Sequence, residues 1–217
     1  MKKLFLIITF SLGIFNASAQ LTIQGGGDIL TFKKSGDFKE SNVSGSRFFE
    51  EKFVNAKVND GNNLFPIRYN AYADVMEYKK GNEILELTKE ENKKIEFSNN
   101  DKFQLLTYTI NEKEVSRYHQ IIFSDKDIII SKFRSIKFTP AKPAANTYDT
   151  AIQANFKPNN DKYFITTNNE TIEFDGKSKS LEKAFPNKAT QIKQFFKDNK
   201  VKENDADLIK IGNLLIK

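Results

Sequence analysis

Histidine chemistry in this chain depends on one residue, His119, because the sequence contains no other histidine and no cysteine. A Ser-His-Asp hydrolase would need His119 as general base and a nucleophile on a sharp turn such as G-x-S-x-G, which is not present. Alternation places His119 inside a strand, so we expect a hydrogen-bonded or surface strand histidine and not a catalytic one. The same composition excludes disulfides, thiolate nucleophiles and His-rich zinc sites. The strand face expected to carry His119 consists of Val115, Arg117, His119, Ile121 and Phe123.

Paired carboxylates are a second possible source of chemistry, because a glycoside hydrolase needs two acids flanking a sugar. The clusters are Glu50-Glu51, Glu90-Glu91 and Asp125 with Asp127. Adjacent strand residues point to opposite faces, and the last two clusters fall at polar turns, so none predicts a dyad. Tryptophan, a common platform for sugars, is absent from the sequence. The sequence therefore gives only weak support to a carboxylate-dependent hydrolase.

Two loops partly match ligand-binding motifs. Asp60-Gly61-Asn62 begins like a calcium loop, but Leu64 and Pro66 follow where further oxygen ligands are required. The run Gly25-Gly26-Gly27 is followed by neither a Lys-Ser/Thr pair nor a helical pattern, as a phosphate-binding loop would be. We expect no metal, no cofactor and no catalytic residue, and we interpret Asp60-Gly61 as a hairpin turn.

Aromatic side chains are unusually abundant, with twenty Phe and seven Tyr residues. In a sheet with one covered face, most of them are expected in the core and in cross-strand pairs. The alternative is that an incompletely closed sheet leaves an aromatic groove for a lipid or an extended peptide. The candidate binding residues are Phe48, Phe65, Tyr69, Tyr72 and Tyr78.

These side chains would be positioned by strands. From Gln20 to residue 177, short alternating runs are separated by turns rich in Asn, Asp and Gly, which predicts an antiparallel β domain. We expect a mainly β fold, an antiparallel meander forming a curved sheet or partly open barrel. The runs fall at 53–58, 64–78, 83–87, 94–97, 103–110, 115–123, 128–138, 162–167 and 171–174.

Residues 178–217 change to a helical period. Pro186 limits a first helical turn, and Ile192, Phe195 and Phe196 follow helical spacing in a second helix. A third helix is expected to begin near Asn204 or Asp205. Such a short helical hairpin needs the sheet as support, so we expect it to pack there.

The first 19 residues have the features of a secretory signal peptide. Lys2 and Lys3 precede the apolar run Leu4–Phe15, and Ala17-Ser18-Ala19 suits cleavage before Gln20. The apolar run is shorter than the about 20 residues that span a bilayer, so cleavage is favoured over anchoring. We expect an exported protein, periplasmic or outer-membrane-associated, without a transmembrane segment after cleavage.

The charge balance argues against nucleic acid as a partner. Removing Lys2 and Lys3 leaves 32 basic and 28 acidic residues, a net charge of +4. This excess is interpreted as modest and spread along the chain, because acidic residues accompany the lysines almost everywhere. We interpret the many lysines as the consequence of an AT-rich genome in preference to an anionic partner.

Several segments carry a family pattern: Gly45–Phe49 before Phe53-Val54, Pro66–Tyr72 before Asp74 and Glu77, Lys162–Phe164, Ile192–Lys197 and Asp207–Lys210. On these residues the chain resembles an uncharacterised group of exported Bacteroidota proteins with a β-rich body and a small helical tail. The resemblance covers most of the mature chain and implies architecture without implying an activity. Asp149-Thr150-Ala151 also resembles the O-glycosylation sequence of exported Bacteroidota proteins, which makes Thr150 a candidate acceptor.

Three functions are weighed. The first is a non-enzymatic envelope protein that offers a sheet face or edge to a protein partner. The second is a periplasmic carrier of lipid or another apolar ligand inside the curved sheet. The third is the carboxylate-dependent hydrolase.

Overall fold

The computed structural model describes residues 20–25, 28–36, 42–125, 127–144, 146, 150–167 and 170–217. The predicted signal peptide lies outside the described residues, as does Asp149 of the predicted glycosylation sequence. The strands are β1 (Gln20–Gly25), β2 (Asp28–Lys34), β3 (Val54–Val58), β4 (Phe65–Asn70), β5 (Val75–Lys80), β6 (Glu83–Leu87), β7 (Lys94–Phe97), β8 (Lys102–Ile110), β9 (Lys113–Asp125), β10 (Ile128–Phe133), β11 (Ile136–Thr139), β12 (Asn155–Pro158), β13 (Lys162–Thr167) and β14 (Glu170–Phe174). The helices are α1 (Ser178–Ala184), α2 (Ala189–Asp198) and α3 (Asp205–Ile216), with a 3-10 turn at Pro186–Lys188.

Twelve strands form one open antiparallel sheet in the order β1-β2-β6-β5-β4-β3-β7-β8-β9-β10-β13-β14, and β11 pairs separately with β12. Most neighbours are consecutive hairpins, as short connections predict. Three joins are not consecutive, namely β2 with β6, β3 with β7 and β10 with β13. The predicted fold class, a curved antiparallel sheet carrying C-terminal helices, is confirmed.

Asn and Asp residues hold many of the turns because they tolerate a left-handed backbone. Asn59 has a φ of 52° just before Asp60-Gly61, and β3 pairs with β4 across this turn, so the predicted hairpin is confirmed. The predicted run 64–78 is divided by a turn ending at Asp74, which also has a φ of 52°. Asn70 stabilises this turn, since its side-chain oxygen accepts a hydrogen bond from Ala73 N at 3.1 Å.

The first part of the sheet curls around the largest cluster of buried residues, which we call the first core. Its members come from β2 to β9 and from the β11–β12 pair. The curl brings β4 close to β9, although three strands lie between them in the sheet. The rings of Tyr69 and Tyr118 are consequently 6.4 Å apart. Representative members are Phe32, Ile67, Met76, Leu105 and Tyr118.

The last part of the sheet curls toward its opposite face. There Leu106, Tyr108, Phe133 and Phe164 form the second core, and β14 approaches β8 across three intervening strands. Leu105 belongs to the first core, whereas its neighbour Leu106 belongs to the second. Successive strand residues point to opposite faces, so the β8–β9 hairpin contributes one face to each core.

A β-bulge in β9 corrects one detail of the sequence prediction. Ile130 pairs with Phe123 and Ser131 pairs with Ile121, which leaves Ile122 as an extra residue. Phe123 therefore leaves the face that carries His119 and packs with the helices. The prediction that Phe123 shares that face is wrong, because a bulge reverses the alternation beyond it.

The helices pack on the face of β9, β10 and β13 opposite the second core. Their buried residues join the strands in a third core, made with Ile130, Ile165 and Phe174. Asn204 caps α3 by accepting a hydrogen bond from Asp207 N at 3.0 Å, which confirms the predicted start. Asp205 anchors α3 to the sheet, since it accepts hydrogen bonds from Lys132 Nζ at 2.7 Å and Tyr163 OH at 2.9 Å. The helix residues in this core include Leu181, Ile192, Leu208, Ile211 and Leu215.

Gly212 sets the distance between α3 and β9. A Cβ atom at this position would lie 2.7 to 2.9 Å from three ring atoms of Phe123, closer than carbon atoms approach without strain. We expect Gly212→Ala to lower the free energy of unfolding by about 1–3 kcal/mol through overpacking. At an exposed helix position the same change would stabilise the protein by about 1 kcal/mol. A loss of stability would therefore indicate the close contact between Gly212 and Phe123.

Urea unfolding of the mature protein measures this effect. Asn213→Ala, on the exposed side of the same helix, is the matched control and should change stability by less than about 0.5 kcal/mol. A Gly212→Ala variant as stable as the parent would show that α3 does not rest on Phe123.

Candidate functional site

A narrow cavity of about 70 Å³ opens between the first core and the loop before β3. We call it the aromatic slot. Its floor is apolar because β3, β4, β7 and β8 direct alternate side chains toward the first core. The mouth carries charged and amide side chains, so the site combines an apolar interior with a polar rim. The floor is Val54, Ile67, Tyr69, Phe97 and Phe103, and the mouth is Phe49, Glu50, Lys52, Asn99, Asp101, Gln120 and Arg134.

Phe49 and Arg134 form one wall of the mouth. The guanidinium carbon of Arg134 lies 3.8 Å from the centroid of the Phe49 ring, a cation–π contact. Arg134 Nε also lies 3.4 Å from Asp161 Oδ1, so the Arg134 charge is shared between ring and carboxylate. Phe49 packs partly against the first core. The contact holds the loop before β3 against the segment that follows β10.

Gln120 provides an acceptor in the slot. Its Nε2 donates a hydrogen bond to Asp101 Oδ1 at 2.9 Å, which fixes the direction of the amide. Its Oε1 is buried and has no hydrogen-bond donor in the described part of the chain. An unpaired buried acceptor costs about 1–3 kcal/mol, so a bound N–H or O–H group that reached Oε1 would recover that energy.

Tyr69 is held in place from behind the slot. Its hydroxyl lies 2.9 Å from Asp74 Oδ1, to which it donates, and 3.2 Å from the Arg134 carbonyl oxygen. Asp74 also accepts from Tyr118 N at 3.1 Å and pairs with Lys89 Nζ at 2.5 Å. Burial raises the pKa of Tyr69, and the Asp74 charge raises it further. Burial also raises the pKa of Asp74, against the opposing effect of Lys89. These hydrogen bonds hold the ring of Tyr69 in a fixed position in the floor of the slot.

The other predicted binding aromatics lie elsewhere, and only Tyr69 lines the slot. Phe65 and Tyr78 meet edge-to-face at 5.7 Å in the first core. Tyr72 is 40% exposed and packs against the β11–β12 rings. Phe48 lies on the outer side of β4, stacked on Arg68. Thr150 is exposed.

His119 is completely buried in the second core. Its Nε2 lies 2.9 Å from Tyr108 OH and its Nδ1 lies 3.1 Å from Ser131 Oγ. Burial, with the nearby Arg117 charge, lowers the pKa of His119 to about 3. A general base works best with a pKa near the operating pH and within reach of its substrate, so this Ser-His pair is suited to a structural role.

One pair of carboxylates that the sheet brings face to face has basic partners. Glu77 and Glu86 face each other across β5 and β6. Glu77 pairs with Arg68, whereas Glu86 pairs with Lys33 at 3.1 Å. In the described ranges, no three His, Asp or Glu side chains converge as a metal site would require.

A second, wider space is an open groove of about 880 Å³ at the end of β2 and the β5–β6 turn. Its described lining mixes apolar residues such as Phe32 and Leu85 with charged residues such as Lys34, Arg68 and Glu83. The groove is large enough for a lipid-sized molecule.

Comparisons with known proteins do not identify the protein or its candidate site. The chain matches no protein-family model, no curated protein and no solved structure. Within the described residues, none of the helices combines the length and the apolarity that crossing a bilayer requires.

Proposed function

We propose that the protein is an exported, non-enzymatic module of the cell envelope that binds a segment of a partner protein through the aromatic slot. The observation that carries this proposal is the buried, unpaired Oε1 of Gln120 beside an apolar cavity. The slot would take an apolar side chain, and Gln120 would accept a hydrogen bond from an adjacent N–H group. This pairing of side-chain pocket and backbone recognition is typical of peptide-binding sites.

The size of the slot favours a side chain over a free ligand. Pockets for small molecules have volumes of about 300–1,000 Å³, and a dry cavity of about 150 Å³ accommodates benzene. The slot measures about 70 Å³, room for the end of one aliphatic or aromatic side chain. Asp101, Lys52 and Arg134 at the mouth supply both charge signs for the polar rim that surrounds such an anchor.

The slot can be tested with Gln120→Leu, which removes the acceptor, and Val54→Phe, which fills the cavity. We expect each variant to bind the partner about ten-fold or more weakly, because one buried hydrogen bond or one anchor is worth about 1–3 kcal/mol. Gln104→Leu is the matched control, since Gln104 lies on the adjacent strand β8 and points to the opposite face.

The measurement is affinity capture from fractionated envelope, followed by titration of peptides from the captured protein. Loss of capture with both slot variants, and retention with Gln104→Leu, is the expected result. Capture that is equal for all three variants would rule out the slot as the site.

The groove of about 880 Å³ favours a second candidate, a carrier of lipid or another apolar ligand. Native mass spectrometry of protein purified from its own periplasm separates the two functions. A bound lipid mass, together with unchanged protein capture by the slot variants, would favour the carrier.

A further inference from the structure

The positive charge of this protein is concentrated in its helical tail. Residues 178–217 contain nine lysines and five acidic residues, a net charge of +4. This equals the whole excess expected for the mature chain, so residues 20–177 carry equal numbers of basic and acidic residues. The sequence interpretation of an evenly spread excess is therefore wrong. A charge asymmetry between two parts of a chain is typical of proteins that bind an anionic surface.

The fold turns these lysines outward. Leu181 and Ile192 bury one side of α1 and α2 in the third core. On the outer sides, pairs of lysines spaced four residues apart lie in one row on each helix. None of them has a carboxylate within 4 Å in the described part of the chain, and Asp198 is hydrogen-bonded by Gln194 instead. The exposed lysines on and just after α1 and α2 are Lys179, Lys183, Lys193, Lys197 and Lys200, while Lys202, Lys210 and Lys217 are also exposed and Lys210 pairs with Asp207.

The third helix adds apolar groups to the same tail. Ile209 and Ile216 are 37% and 43% exposed, two of the few large apolar side chains exposed among the described residues. They are seven residues apart, which places both on one side of α3. Ile216 lies with Asp125 and Asp127 at the β9–β10 turn, so these isoleucines are a separate feature of the tail, and the lysine rows of α1 and α2 carry the case for an anionic lipid surface.

We infer that the helical tail docks on an anionic lipid surface through its exposed lysines on and just after α1 and α2, which would lie near the headgroups. Lysine is a mobile point charge, suited to a diffuse array of phosphates more than to one shaped ligand. None of these five lysines lines the aromatic slot or the open groove, which also favours a surface over a pocket. Each lysine near such a surface strengthens binding about five-fold, and salt screens the effect.

The test is co-sedimentation of the mature protein with vesicles of phosphatidylcholine containing about one third phosphatidylglycerol. We expect binding to these vesicles but not to pure phosphatidylcholine, and loss at high salt. Replacing Lys179, Lys183, Lys193 and Lys197 by Gln should weaken binding more than ten-fold. The matched control replaces four exposed sheet lysines by Gln, namely Lys57, Lys79, Lys94 and Lys113.

Three outcomes would overturn the inference. First, the mature protein could fail to bind the anionic vesicles. Second, the tail variant and the sheet variant could lose vesicle binding equally, which would mean that binding depends only on the net charge of the protein. Alternatively, the tail could bind poly-glutamate and not vesicles, which would identify an acidic polymer as the partner. The slot variants Gln120→Leu and Val54→Phe should bind vesicles normally, so this test is independent of the proposed function.

Discussion

Glu77→Gln should lower the free energy of unfolding by about 3–5 kcal/mol, because it leaves a buried guanidinium without its counter-charge. Glu77 is only 2% exposed, and its Oε2 accepts from Arg68 at 2.7 and 2.8 Å while its Oε1 accepts from Asn70 at 2.7 Å. Arg68 is also enclosed by rings, with its guanidinium carbon 3.9 Å from the centroid of Phe48 and 4.3 Å from that of Phe53. Urea unfolding at neutral pH measures the change.

The chain offers a matched control for this ion pair. Glu96 and Lys102 are also directly opposite on neighbouring strands, with a 2.7 Å ion pair, but their side chains are 52% and 58% exposed. Glu96→Gln should therefore destabilise the protein much less than Glu77→Gln, because water screens an exposed ion pair. Arg68→Met combined with Glu77→Leu should cost less than Glu77→Gln alone, since an apolar pair replaces a buried ionic one. Equal effects at Glu77 and Glu96 would contradict the role of burial.

Replacing His119 by Phe should destabilise the protein at pH 7.5 by about 2–6 kcal/mol, because the hydroxyls of Tyr108 and Ser131 lose their hydrogen bonds to the imidazole in a closed core. Each unpaired buried hydroxyl costs about 1–3 kcal/mol. An aromatic ring still fills the position, so the loss does not come from an empty cavity. Urea unfolding of parent and variant gives the difference.

The difference should also depend on pH. The pKa of His119 is about 3 in the folded state, well below the ordinary value of 6.5 that applies to the unfolded chain. Between these values the unfolded state takes up a proton that the folded state does not, so stability falls as the pH falls. The advantage of the parent over His119→Phe should shrink by about 1.4 kcal/mol for each pH unit below 6.5.

Tyr108→Phe serves as the control, because it removes one hydrogen bond and keeps His119. Its stability difference from the parent should change much less with pH. A constant difference between the parent and His119→Phe from pH 7 to pH 5 would show that His119 is accessible to protons in the folded protein.

Local sequence patterns predicted much of this fold. Alternation and Asn-rich turns located most strands, and Pro186 and Asn204 marked helix boundaries where the structure has them. The pairing of non-consecutive strands could not be predicted from the sequence. The contacts of β2 with β6 and of β10 with β13 depend on how the whole sheet curls. The β9 bulge was missed for a similar reason, since nothing in its apolar run marks the extra residue Ile122.

The candidate site was only partly visible in the sequence. Abundant aromatics pointed to Tyr69, which lines the slot, and equally to Phe65 and Tyr78, which pack in the core. The decisive feature, the unpaired Gln120 oxygen, depends on an Asp101 contact that no spacing rule predicts. The alternation of β9 does place Gln120 on the face opposite His119, and this was the one available signal.

The two opposed curls of the sheet meet at the β8–β9 hairpin, with Leu105 and Tyr118 on one side and Leu106 and His119 on the other. Disorder in either half would expose one apolar side of this hairpin to water, because each half covers one of its sides. We therefore expect the two halves to unfold in one transition, and a fragment that ends on either side of the hairpin to expose an apolar sheet face and to self-associate.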